Sequence, residues 1–199
     1  GAGWLMTEIN GSPLYVSLIQ TATSLPVFLL GIPAGAAADL FDRRKLLIFT
    51  QAFMALAAGV LGWLTVIGKA SPIALLLATF ALGIGSTLNN PAWQAIVPEI
   101  VTRRDLPQAI SLNSVGFNLA RAVGPALAGF VIAAFNPGAV FLLNALSFVG
   151  VIVVLYLWRR RPQEQSSTVN ESIVSATWAG LRYVRYSCLL YTSPSPRDR

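Results

Sequence analysis

Five stretches of apolar sequence, each long enough to cross the hydrocarbon of a bilayer, decide what this chain can fold into. They run over about 14–38, 46–67, 73–97, 109–135 and 139–158, and a spanning helix needs roughly 20 such residues. Inside lipid the backbone has no water to bond to, so runs of this length form helices rather than open strands. With 55% hydrophobic and 11% charged residues, against roughly 25% charged in soluble domains, the composition excludes a water-facing globular core. The expected class is an all-α integral membrane protein.

Residues 1–12 are too short to cross, and Asn10-Gly11-Ser12-Pro13 is turn chemistry. They read as the remnant of a first transmembrane helix, its outer end, with the beginning missing. Residues 13–158 then hold five crossings. If each run crosses once, the segments 39–45, 98–107 and 159–161 share one side and carry eight Lys or Arg, whereas 10–13, 68–72 and 136–138 carry only Lys69. Cations accumulate on the cytoplasmic side, so loops 39–45 and 98–107 and residues 159 onward are expected to be cytoplasmic. Residues 159–187 are expected to be a cytoplasmic linker, with a short interfacial amphipathic helix over Ala176 to Arg185. Residues 188–199, which abandon every earlier pattern, read as a non-native translated adaptor tail, a flexible native terminus being the alternative.

Other classes drop out on residue chemistry. The basic balance does not form a contiguous basic face, so no nucleic-acid partner is expected. The absence of His and the single Cys188 leave neither a disulfide framework nor a Cys/His metal site, and no cofactor is expected. No carboxylate pair lies within a span, so the chain is not expected to be an enzyme.

The residues that stand out are polar or small groups inside apolar runs. Arg121 lies about halfway along the fifth span, where a cation costs roughly 2.5–3.5 kcal/mol on insertion scales. It reads either as a cavity or coupling residue or as a packing Arg bonded to carbonyls freed by Pro125. Asn89, Asn90, Trp93, Gln94, Asn113, Asn118 and Asn144 read equally as cavity lining and as interhelical glue; Asn90, Gln94 and Asn118 join Arg121 as the cavity candidates. Gly116, Ala120, Gly124 and Ala128 form a column of small residues at four-residue spacing, and Pro125 removes one backbone donor beside it.

The second span ends in Gly31-Ile-Pro-Ala-Gly35-Ala-Ala-Ala-Asp39-Leu-Phe-Asp42-Arg43-Arg44-Lys45. Gly35-xxx-Asp39-xxx-Arg43-Arg44-Lys45 resembles the loop signature between the second and third helices of the major facilitator superfamily, with Leu40 where the family usually has a cation and Asp42 where it usually has glycine. Gly124-Pro125-xx-Ala128-Gly129 resembles that superfamily's exporter and antiporter signature on the fifth helix, with Ala128 in place of a glycine. Together with Gly3-Trp4, Gly11-Ser12-Pro13, Asn89-Asn90-Pro91-Ala92 and Gly180-Leu-Arg-Tyr183-Val-Arg185, the chain is similar to the branch containing the enterobactin exporter and transmembrane secretion effectors.

The resemblance implies the N-terminal six-helix half of a major facilitator fold, its first helix truncated, in the inner membrane of a bacterial cell. The partners implied are the lipid bilayer, a small-molecule substrate and a missing C-terminal six-helix half. The function implied is secondary active efflux by alternating access with proton-coupled antiport. Gly35, Asp39, Arg43 and Arg44 would form a conformational switch with Asp39 as its latch, a solvated end charge being the alternative for Asp39. Gly116, Gly124, Pro125 and Gly129 would form a helix-packing motif. A membrane domain of a primary transporter, or a structural membrane subunit, is the second reading; no Gly-x4-Gly-Lys-Ser/Thr string is present to support a nucleotide-driven machine.

Overall fold

The computed structural model describes residues 2–9 and 12–158, and all regular structure among them is helical. The linker, the amphipathic segment, the tail and the cations at 159–161 lie outside the described residues. Six helices follow in order: α1 (Ala2–Ile9), α2 (Pro13–Leu40), α3 (Arg43–Val66), α4 (Pro72–Ile100), α5 (Leu106–Ala134) and α6 (Pro137–Leu157). The last five are long and apolar enough to cross a membrane, whereas the 8 residues of α1 reach only about 12 Å at 1.5 Å per residue.

The loops are short because the helix ends are coded locally. Proline occupies the first or second position of α2, α4, α5 and α6, where its missing N–H has no intrahelical use. Ser71 Oγ accepts from the Ala74 N–H at 3.1 Å and Asn136 Oδ1 from the Ala139 N–H at 2.9 Å, capping α4 and α6. Helix α3 stops at Gly68, which has a φ of 69°; the Lys69 N–H reaches Leu64 O at 2.9 Å and the Gly68 N–H reaches Thr65 O at 3.2 Å. That pair of bonds is a left-handed glycine cap.

Packing follows the small residues. Helix α3 lies between α6 and α4, and α4 in turn packs on α2, with α1 resting against α2 and α4. A Cβ on Gly62 would stand 2.9 Å from Leu142 Cγ, and one on Gly138 would stand 2.8 Å from Val66 Cγ2, so α3 and α6 approach at glycine. Gly83 of α4 receives the Pro26 ring of α2, and Gly85 receives the Met54 side chain of α3. Without a hydrophobic drive between helices in lipid, such close approach is what holds a bundle. Two buried clusters result. One, of Leu5, Met6, Ile19, Leu61, Leu75 and Phe141, lies at the end away from loop 39–45; the other, of Ala38, Leu47, Ala92, Ile96 and Leu155, lies at the loop 39–45 end, with Trp93 and Trp158 packed on it.

Helix α5 differs from the rest. It touches α6 and α4 lightly and has no buried residue. A Cβ added at Gly116, Gly124 or Gly129 would meet nothing within 4 Å, so no described helix packs closely against those glycines. Pro91 and Pro98 do not interrupt α4, which runs unbroken from Pro72 to Ile100.

Candidate functional site

Two groups of residues could do something beyond packing: the helix ends around residues 39–45, and a groove between α2 and α4. At the helix ends, Asp42 begins the construction. Its Oδ1 accepts from the Lys45 N–H at 3.0 Å, so the residue standing where the resembled signature has glycine is the N-cap of α3. With that cap set, Arg43 and Arg44 leave adjacent positions about 100° apart on the helix and reach different neighbours.

Arg43 Nη1 donates to Ala95 O at 3.1 Å and to Glu99 Oε1 at 2.8 Å, tying α3 to the end of α4. The Glu99 side chain is only 10% exposed and that of Arg43 34% exposed, so the pair is far better shielded than a surface ion pair, whose usual contribution is about 0–1 kcal/mol. Arg44 turns to α6, where its Nε donates to Leu155 O at 2.7 Å and its Nη2 to Tyr156 O at 2.8 Å. Those carbonyls belong to the last turn of α6, which has no helical partners of its own. One dipeptide thus gathers the ends of α3, α4 and α6.

Gly35 and Asp39, expected to act with the two arginines, share no hydrogen bond or ion pair with them. A Cβ on Gly35, like one on Gly31, would meet nothing within 4 Å. Asp39 is exposed and makes no hydrogen bond or ion pair to a described residue. Gly31, Gly35 and Asp39 recur every four residues, so they share one open face of α2.

The groove, of about 530 Å³, is lined by Val27 and Gly31 of α2 and by Thr87, Asn90, Pro91, Gln94 and Ala95 of α4. Asn90 and Gln94 are one turn apart, and both are exposed toward it; they offer amide donors and acceptors in an otherwise apolar wall. Such a site can hold a small molecule by shape and hydrogen bonds. Arg121 and Asn118 do not line it. Arg121 is exposed on α5, its guanidinium 5.6 Å from the Phe117 ring one turn earlier, a cation–π contact within its own helix. Asn118 Nδ2 donates back to Ser114 O at 2.9 Å. A second hollow lies where α4 ends and α5 begins, with Asn113, Gly116 and Phe117 on one wall and Val97 and Ile100 on the other.

Glu99 and Thr87 were not among the sequence candidates, and Gly31 stood there only as a small residue spaced for close helix approach. A signal for Glu99 existed, since the charge alternation put it and Arg43 on the same membrane face. Nothing in a linear sequence indicates that Gly31 of α2 lies across from Asn90 and Gln94.

Comparison with known proteins agrees with this architecture. The family model described as transmembrane secretion effector matches residues 1–193. The staphyloferrin A transporter of Staphylococcus aureus is 31% identical over 159 residues, 79% of this chain and 40% of the relative. The multidrug efflux pump Tap of Mycolicibacterium fortuitum is 26% identical over 196 residues, 95% of this chain and 48% of the relative. Macrolide efflux protein A of Streptococcus pyogenes is 24% identical over 144 residues, 72% of this chain and 36% of the relative. The chain spans less than half the length of these relatives, and no solved structure matches it. An all-helical bundle of this order, matched along nearly all its length by one family model, belongs to the transmembrane secretion effector family of the major facilitator superfamily of transporters.

Proposed function

We propose that this chain is the N-terminal half of a secondary transporter that exports a small molecule from a bacterial cytoplasm by alternating access. The observation that carries the reading is the amide-bearing groove between α2 and α4, a polar wall inside a bundle otherwise apolar enough for lipid. The named activities of the relatives, two of them efflux proteins, support the direction of transport. In this reading Asn90 and Gln94 contact the transported molecule. Arg121 enters the same path from α5 once a second half covers that helix.

The open faces support a partner half. Gly31, Gly35 and Asp39 on α2, and Gly116, Gly124 and Gly129 beside Pro125 on α5, are small or charged residues with room around them. Small residues with no atom close to them on two helices suit close approach by further helices. Asp39 then acts as a latch against an incoming helix end, a charge–dipole contact of about 0.3–1 kcal/mol when exposed. Export is coupled to proton entry, with the loops at 39–45 and 98–107 in the cytoplasm.

The test is efflux from cells expressing the full-length reading frame. Gln94→Leu and Arg121→Ala are expected to lose most transport at unchanged membrane levels. Normal efflux in both would refute the assignment of the groove and of Arg121. An unchanged rate after the proton gradient is collapsed would refute the coupling.

A further inference from the structure

Thr50 and Gln51 of α3 converge on a single atom of α4. The Thr50 hydroxyl and the Gln51 amide nitrogen each stand 3.2 Å from Asn89 Oδ1; the single Thr50 hydroxyl proton is shared with Leu47 O, 3.0 Å away, so the Gln51 amide is the undivided donor. Both α3 side chains are buried, at 1% and 5% exposure. The other end of the Gln51 amide, Oε1, is buried with no hydrogen-bond partner among the described residues. An unmet buried acceptor is unfavourable, so a hydrocarbon of similar size would serve stability at least as well. Polar groups kept under those conditions can set register instead.

The register concerned is the rotation of α4. One turn away, Gly85 accepts the Met54 side chain, an apolar contact that sets how closely α3 and α4 approach. Asn89 adds a directional bond to that packing. Successive residues on a helix are about 100° apart, so holding Asn89 on α3 directs Asn90 away from α3, toward the groove it lines with Gln94. The device sits where it is needed. Pro91 has no N–H to give to Thr87 O, so α4 lacks one of its own backbone ties at that level, and the Thr87 hydroxyl is turned back to Gly83 O at 2.7 Å.

We infer that Thr50 and Gln51 are positioning residues: through Asn89 they set the rotation of α4 and hence the presentation of Asn90 and Gln94 to the transported molecule. This rests on the reading of the groove as the transport path. None of the three lines the groove, so their effect is on affinity through geometry rather than on a bond to substrate.

The experiment uses the full-length reading frame with its native cysteines replaced by serine. Asn89→Leu and Gln51→Leu are expected to raise the transport KM roughly tenfold, the size of one or two lost hydrogen bonds, with the maximal rate and membrane level little changed. The reciprocal swap Gln51→Asn with Asn89→Gln keeps the combined side-chain length and is expected to restore the KM. In parallel, cysteines at position 94 or at buried position 96 are labelled with a water-soluble thiol reagent. Position 94 should react much faster in the parent, and the ratio should fall several-fold in Asn89→Leu and in the milder, near-isosteric Thr50→Val. An unchanged KM in the Leu variants, a swap as defective as Asn89→Leu, or an unaltered labelling ratio would overturn the inference. If no variant and no parent transports, the labelling ratio alone decides the inference, and it is the transport reading that fails.

Discussion

Adding one methyl group to Gly62 tests whether α3 and α6 really meet as closely as described. A Cβ there would lie 2.9 Å from Leu142 Cγ and Cδ2 and 3.0 Å from the Leu142 backbone nitrogen. The side chain could swing aside, but the nitrogen belongs to α6 and can move only with it. At Gly59, one turn away on the same seam, the added Cβ would rest 3.8 Å from the Ala145 methyl, an ordinary contact. Both Gly→Ala changes gain helix propensity, up to about 1 kcal/mol each, and that gain cancels in the comparison. What remains is the overpacking at Gly62, about 1–3 kcal/mol, a factor of about 5 to 150 in the unfolding equilibrium. The assay is unfolding in mixed micelles followed by tryptophan fluorescence, with Trp63 beside the site. Gly62→Ala should unfold at lower denaturant than Gly59→Ala, which should match or exceed the parent. Adding Leu142→Ala to Gly62→Ala should recover only part of the loss, because the backbone contact persists. Equal stability of the two single variants would refute the seam, and full recovery by Leu142→Ala would refute the backbone part of the argument.

Replacing Arg44 by Lys keeps the charge but loses the forked geometry that bonds two successive carbonyls of α6; protease protection of the α6 end should weaken to nearly the level of Arg44→Ala, and full protection in the Lys variant would show that charge alone suffices. Arg43→Ala should cost about 1–3 kcal/mol in the same unfolding assay by removing a guanidinium from well-buried Glu99, and a loss no larger than that of an exposed Lys69→Ala control would show the pair to be idle. Asp42→Ala should cost about 1 kcal/mol and Asp42→Asn, which keeps a side-chain oxygen, much less, so equal losses would mean the cap bond contributes nothing. Cysteines at positions 69 and 104 should react with an impermeant reagent from opposite faces of intact cells, position 69 from outside, and reaction of both from one side would overturn the alternation of crossings.

Much of the architecture was legible in the linear sequence. The apolar runs are longer than any other constraint on them, and the cost of unbonded backbone in hydrocarbon turns length directly into helix. The ends were nearly as legible, since Pro72, Pro137, Ser71, Asn136 and Gly68 act on their own helix within one turn. Alternating cations placed Arg43 and Glu99 on one face before any contact was known.

The site was legible only as a set of residue types. Asn89 and Asn90 are identical side chains in adjacent positions, yet one is bonded to α3 and the other lines the groove with α2. Their difference is a rotation of about 100° about α4, which depends on where α3 and α2 dock. Likewise Arg43 and Arg44 look interchangeable in sequence, but one ties α4 and the other α6. The sequence by itself determined which segments are long and apolar enough to cross a membrane and that they are helical, because those outcomes depend on the chain's own neighbours and on lipid. Which face of each helix does what was settled by tertiary packing, because a rotation about a helix axis has no energy of its own until another helix is there to contact it.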